Sequence, residues 1–135
     1  MQNDYPNDPV ILITGAARRI GAVVARLFHE QGYRVVIHFN RSAAEANKLS
    51  QELNNLRAES CLLVQSDLNH MSGLDKITNL IKSIGRLDVL VNNASSFYPT
   101  PLADCDEAQW DDLINSNLKG PFFLSQKLAP LLTLA

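Results

Sequence analysis

Cysteine is scarce. Cys61 and Cys105 are the only two in 135 residues, and no C-x-x-C pair occurs. Cys61 sits in an apolar run and reads as a buried thiol, while Cys105 sits in a polar loop. A reducing, cytoplasmic compartment suits both. Charge of one sign is scarce too: the formal net charge of −2 gives no reason to expect nucleic acid or an anionic membrane as partner. No apolar run is long enough to span a bilayer. The first nine residues, Met1 to Pro9, are polar and carry two prolines. They lack a basic segment leading into an apolar one, so they read as a flexible tail and not as a signal peptide. Repeats and low-complexity segments are absent. What remains is 46% hydrophobic and 19% charged, which suits one domain with one core over residues 10–135.

That core is organised around Val10-Ile-Leu-Ile-Thr-Gly-Ala-Ala-Arg-Arg-Ile-Gly21. Val10 to Ile13 is a continuous apolar run and predicts a strand covered on both faces. It breaks at Thr14-Gly15. A helical period follows at once in Ile20, Val23, Val24, Leu27 and Phe28. A helix N-terminus after a glycine turn offers free amides and a positive dipole end to phosphate. Gly15 permits the turn, and Gly21 permits close packing of the helix.

Tyr33 to Phe39 is a second apolar run, ending in Asn40-Arg41-Ser42. In dinucleotide-binding folds the residue that reads the adenosine ribose stands here. An acid would accept from the 2′-hydroxyl of NAD. This chain has Arg41, with Arg18 and Arg19 in the turn, and a guanidinium matches a 2′-phosphate. The pattern argues for NADP(H).

The rest of the chain continues the alternation. Gly32 closes the first helix. Ser42 is placed to cap a second, whose stripe is Ala46, Leu49, Leu53 and Leu56. Ser60 to Gln65 is strand three, ending at Ser66-Asp67-Leu68. A helix from about Ser72 to Ile84 follows, capped by Gly85. Strand four is Leu87 to Val91, closing on Asn92-Asn93-Ala94-Ser95. A last helix begins near Asp106 and carries Trp110, Leu113, Ile114 and Leu118. Strands alternating with helices predict an α/β fold: a Rossmann-type, doubly wound parallel sheet of four βα units in the order 3-2-1-4. A ligand then lies over the C-terminal strand ends, where Gly15, Arg41, Asp67 and Asn92 all fall.

With these residues in order, Thr14-Gly15…Gly21, Asp67-Leu68, Asn92-Asn93-Ala94 and Asn117-Leu118, the chain resembles the short-chain dehydrogenase/reductase family. Within it the likeness is closest to pteridine reductases. It is carried by Thr14 to Gly21, by His38 to Ala46, and by Asn92 to Pro101, and it covers nearly all of the chain after residue 9. The family's usual third turn glycine is Arg19 here, as in the pteridine-reductase branch.

The resemblance implies roles. Thr14, Gly15, Arg18, Arg19, Ile20 and Gly21 form the cofactor turn. Arg18, Asn40, Arg41 and Ser42 hold the adenosine ribose and its phosphate. Asp67 bonds the adenine, with Leu68 beside it. Asn92 and Ala94 line the cofactor ribose, and Asn93 braces the strand. Ser95 contacts cofactor phosphate and pterin, and Phe97 stacks on the pterin. Asn117 matches the asparagine of the family's catalytic tetrad, whose main-chain carbonyl holds a water in the proton relay. Pro121 lacks an N–H, so that carbonyl loses its i+4 donor.

The family's Tyr-x-x-x-Lys is missing. Four residues beyond Tyr5, Tyr33 and Tyr98 stand Pro9, Ile37 and Leu102. The chain also ends inside an apolar stretch, Leu128 to Ala135. The expectation is the N-terminal half of an NADPH-dependent reductase of pterins, from a truncated or split gene or an expressed piece. It keeps the cofactor site and lacks the proton donor. An uncovered edge at strand four then favours self-association. Two alternatives stand beside it: a generic carbonyl or sugar-alcohol reductase, and a non-catalytic nucleotide-binding or oligomerisation module.

Blander readings apply to several residues. His29 and His70 read as surface residues, since no metal-ligand spacing surrounds them. His38 either lines the cofactor pocket or simply packs. Trp110 reads as core or interface. Phe97 either plugs the core or stacks on substrate. Arg19 can be a solvated helix residue, and Asn93 structural.

Overall fold

The computed structural model describes residues 7–132. Most of the N-terminal tail (residues 1–6, with Tyr5) and the last three residues of the apolar C-terminal stretch lie outside them.

The elements run β1 (Val10–Ile13), α1 (Arg19–Glu30), β2 (Arg34–Phe39), α2 (Ala43–Leu56), β3 (Cys61–Gln65), α3 (Met71–Ile84), β4 (Val89–Val91), α4 (Glu107–Ile114), a π-helical turn (Asn115–Lys119) and α5 (Gly120–Leu132). The sheet order is β3-β2-β1-β4, all parallel. Every residue of β1 and β2 is buried, as expected for central strands covered on both faces. Alternate residues divide between two cores. Val10, Leu12 and Val36 pack with Leu74, Ile77 and Ile81 of α3 and Leu124 and Leu128 of α5. Ile11, Ile13, Val35 and Ile37 pack with Ala22 and Ala25 of α1 and Leu49 and Leu53 of α2. The fold is therefore the doubly wound, Rossmann-like one, with β4 at one edge and β3 at the other.

Element boundaries move by one or two residues from those predicted. The larger differences concern faces. α1 turns Gly21, Ala22, Ala25 and His29 inward. Ile20, Val23 and Leu27, which mark its helical period, are 73%, 62% and 55% exposed. Small residues let the helix axis approach the sheet closely, and the larger aliphatics then point away. Leu56 is exposed at the end of α2, and Trp110 and Leu118 are exposed as well, so Trp110 is not a core residue.

His29 is buried, not on the surface. Its Nε2 lies 2.6 Å from Ser60 Oγ, which is also 2.6 Å from the Arg57 carbonyl. The hydroxyl has one proton and gives it to that carbonyl, so it accepts from the ring. Burial and the nearby Arg57 hold His29 below the usual histidine range.

Turn chemistry follows the residues that the sequence offers. Gly85 caps α3 with φ +84°, a left-handed conformation that glycine adopts without strain. Asp106 and Gln109 form a reciprocal capping box at α4. Ser42 stands at the N-cap of α2, but its hydroxyl makes no capping bond.

Candidate functional site

The turns at the C-terminal ends of β1, β2 and β4 are tied together by side chains that reach neighbouring backbone. Thr14 is buried at the end of β1. Its Oγ1 accepts from the amides of Asn93 and Ala94, at 3.0 and 2.9 Å. Asn93 answers in the other direction, its Nδ2 donating to the carbonyls of Thr14 and Gly15, both at 3.1 Å. Asn93 is thus the brace expected of it. The contact is tight. A Cβ on Gly15 would lie 2.9 Å from Ala94 Cα, and one on Gly21 would lie 2.7 Å from Asn93 Nδ2 and from the Gly15 carbonyl oxygen.

His38 lies under the same turn, almost wholly buried, with both ring nitrogens engaged by backbone groups. It therefore neither lines an open pocket nor packs by shape alone.

The first turn of α1 carries no acidic residue and no side-chain cap. Its leading amides have no intrahelical partner. Arg18, Arg19, Asn40 and Arg41 are exposed around it. Among the described residues, no carboxylate lies within ion-pair distance of Arg18, Arg19 or Arg41. Arg19 has φ +54°, so an arginine occupies a left-handed position that glycine would fill without strain. Unpaired guanidinium groups, an uncapped helix start and the unused Ser42 hydroxyl together fit a phosphorylated ligand.

At the end of β3, the carboxylate of Asp67 is half-exposed and accepts from the Asn69 amide at 2.9 Å. Leu68 is buried behind it. Asn92 sits at the end of β4, its Nδ2 donating to Ser125 Oγ at 3.1 Å. Ser95 is exposed, and Phe97 is 86% exposed, which rules out a core plug.

Asn117 lies inside the π-helical turn. Its Nδ2 donates to the Ser96 carbonyl at 2.7 Å, and its Oδ1 accepts from the Ser96 amide at 3.1 Å. The side chain thereby clamps the loop that carries Ser95 and Phe97. The π turn itself was not read from sequence. Gly120 donates to the Asn115 carbonyl five residues back, so the helix widens just before Pro121. Such bulges cluster at functional sites.

A second brace was also missed. Asp112 accepts from Asn69 Nδ2 and from the Tyr98 hydroxyl, each at 2.9 Å, and joins the loops after β3 and β4. The bond raises the Tyr98 pKa. Asn69 and Asp112 are 43 positions apart, and no local pattern links them.

The family model for short chain dehydrogenases matches residues 9–134. The chain belongs to the short-chain dehydrogenase family. It is 37% identical to pteridine reductase 1 of Leishmania tarentolae, over 92% of this chain and 54% of that protein. It is 34% identical to 3-oxoacyl-(acyl-carrier-protein) reductase FabG of Staphylococcus epidermidis, over 88% of this chain and 49% of that one. An uncharacterized oxidoreductase of Staphylococcus aureus is 29% identical over 91% of the chain. The chain thus spans about half the length of the curated relatives it matches. Among the described residues there is no metal-ligand cluster, and no helix is long and apolar enough to cross a membrane.

Proposed function

We propose that this chain is the NADP(H)-binding half of a reductase that acts on pterins. The observation that carries the reading is the set of exposed, unpaired guanidinium groups of Arg18 and Arg41 around an uncapped helix start. A 2′-phosphate would be met there by planar, permanently charged donors, with Asn40 and Ser42 beside them. The remaining turn residues, Thr14, Gly15, Arg19, Ile20 and Gly21, shape the cradle, and Asp67 and Leu68 meet the adenine. Asn92, Ala94 and Ser95 meet the nicotinamide half. Bound NADPH supplies a hydride. Phe97, free of the core, is available to stack on a flat heterocycle, and Ser95 to bond it. Asn117 holds the loop that presents both, and its carbonyl is the group proposed to hold a water. The likeness to a pteridine reductase supports the substrate class; the likeness to a 3-oxoacyl reductase supports a carbonyl substrate as the rival.

Within these 135 residues no Tyr-x-x-x-Lys supplies a proton donor, so the chain alone binds without turning over. That favours, as a second reading, a non-catalytic nucleotide-binding module. The setting proposed is cytoplasmic. The exposed Ile20, Val23 and Leu27 stripe and the β4 edge promote self-association.

Calorimetric titration with NADPH, with NADH as control, tests the nucleotide reading. NADPH binds more tightly, and Arg41→Ala removes most of the difference, of order tenfold for one charge-assisted pair. Equal affinities, or no binding of either, refute it. Adding a dihydropterin to the NADPH-loaded chain tests the substrate class. Binding is lost in Phe97→Ala, and an unchanged affinity refutes the stacking role. Sedimentation that stays monomeric across a hundredfold concentration range refutes self-association.

A further inference from the structure

His38 is 2% exposed, on β2, and bonds two neighbouring segments, the β1–α1 turn and the end of β3. The Gly15 amide donates to its Nδ1 at 3.1 Å. Its Nε2 lies 2.9 Å from the Ser66 carbonyl oxygen. Its own carbonyl accepts from the Ala16 amide at 3.0 Å. An amide only donates and a carbonyl only accepts. The two side-chain contacts therefore admit one state of the ring: neutral, with its proton on Nε2 and a lone pair on Nδ1.

The glycine turn is held from the opposite side by Asn93, whose Nδ2 donates to the Gly15 carbonyl. Gly15 itself has φ +61° and abuts Ala94. The peptide group that joins Thr14 to Gly15 is thus clamped between one donor, Asn93 Nδ2 on the Thr14 carbonyl at 3.1 Å, and one acceptor, His38 Nδ1 on the Gly15 amide.

We propose that neutral His38 is a positioning residue for the β1–α1 turn, and that a second proton on its ring releases the Gly15 amide and weakens nucleotide binding. The nucleotide consequence rests on the reading above; the clamp does not. A second proton has only Nδ1 to occupy, where it would face the Gly15 N–H donor to donor. The Ala16 bond to the main chain of β2 does not depend on the ring, so the disturbance centres on Gly15.

The β1–α1 turn presents no ionisable group to the ring between Thr14 and Ala17. From the end of β3 the charged neighbour is Asp67, which favours the imidazolium, as does the Ser66 carbonyl. Burial outweighs both and holds the ring below the usual histidine range.

Long-range nitrogen spectra of the histidine rings of the whole chain, from pH 4.5 to 8, test the clamp. His38→Asn assigns the signal, and its amide oxygen offers an acceptor that does not titrate. The expected result is the Nε2–H form of His38 at neutral pH, a midpoint below about 6.5, and a Gly15 amide shift with the same midpoint that His38→Asn lacks. A proton on Nδ1 at neutral pH, or a Gly15 amide that stays still while the ring titrates, overturns the proposal.

NADPH titrations of both proteins at pH 7.5 and at one pH unit below the ring midpoint read from the spectra test the consequence. The chain loses several-fold more affinity on acidification than His38→Asn, up to tenfold for each pH unit below the midpoint. Titration of the 2′-phosphate is common to both and cancels in the comparison. Equal losses overturn the coupling. If neither protein binds NADPH at any pH, the nucleotide reading fails, and the coupling with it, while the ring and Gly15 spectra still decide the clamp.

Discussion

Thr14→Val is nearly isosteric, so its effect isolates one hydroxyl. Thr14 Oγ1 accepts from two amides, but they are not equally dependent on it. The Asn93 amide also points at the Val91 carbonyl, at 3.0 Å, and keeps that partner. The Ala94 amide has Thr14 Oγ1 at 2.9 Å and is the one left without an acceptor. A buried donor stripped of its partner costs about 1–3 kcal/mol. Ala94 is only half-buried, so water recovers part of this and the lower half of the range applies. The methyl that replaces the hydroxyl is fully buried and returns up to about 0.8 kcal/mol. The net expectation is a loss of roughly 1 kcal/mol. With a urea slope of about 2 kcal/mol/M for a chain of this size, the midpoint falls by about 0.5 M. Thr14→Ser keeps the hydroxyl and loses only a methyl, so it should restore the Ala94 amide signal even where its stability is lower. A Thr14→Val midpoint equal to or above that of the parent chain would refute the assignment of this hydroxyl as the brace between β1 and β4.

Gly73→Ala sets helix propensity against packing. Propensity alone favours alanine by about 1 kcal/mol, but the added Cβ would lie 2.0 Å from the Asp67 carbonyl oxygen and 2.9 Å from its carbonyl carbon, neither of which a rotamer change relieves. Destabilisation by about 1–3 kcal/mol in thermal melts is expected, and a gain would show that the start of α3 shifts freely. The two buried histidines set a pH dependence. His29 and His38 both have folded pKa values below about 6.5, so the native chain binds fewer protons than the unfolded one as pH drops through that value. Stability is therefore level above it and declines below it. Carboxylates such as Asp88, held low by Arg86, add their loss only at more acid pH. Urea midpoints that rise between pH 7 and 5 would contradict this sign.

The sheet was legible because each strand is a short apolar run ended by Gly, Asn, Asp or Ser, and because unbroken apolar runs mean cover on both faces. Strand order then followed from chain alternation. Helix faces were less legible. Periodicity locates a helix but does not say which apolar residues meet the sheet, and α1 buries its alanines while exposing Ile20, Val23 and Leu27. His29 escaped because its partner, Ser60, lies 31 residues on, across α2. The ring-to-turn bonds of His38 and the Asp112 link escaped for the same reason: each joins segments distant in sequence. The π turn escaped because apolar spacing does not separate an i+4 bond from the i+5 bond that Gly120 makes to the Asn115 carbonyl. Of the residues expected to touch a ligand, Thr14, Gly15, Asn40, Arg41, Asp67 and Asn92 follow closely on strands, as read from the sequence, whereas Phe97 lies farther along the loop after β4 and Asn117 lies in the π-helical turn.

The bracing bonds divide the candidate site into two classes of residue with separable signatures. Thr14, Asn93, His38 and Asn117 spend their polar atoms on the backbone of a neighbouring loop. Arg18, Arg41, Ser95 and Phe97 are exposed and bind no such backbone. On the proposed function, changing an exposed member removes a ligand contact and leaves the fold within about 0.5 kcal/mol of its starting stability. Changing a brace lowers stability first, and it alters binding only through the loop that it holds. Arg41→Ala and Thr14→Val therefore separate the two classes when stability and NADPH affinity are read on the same samples. Arg41→Ala should move affinity alone, and Thr14→Val should move both. A stability loss of 1 kcal/mol or more in Arg41→Ala would mean that its guanidinium supports the fold, and the case for a phosphate at that position would lose its main support.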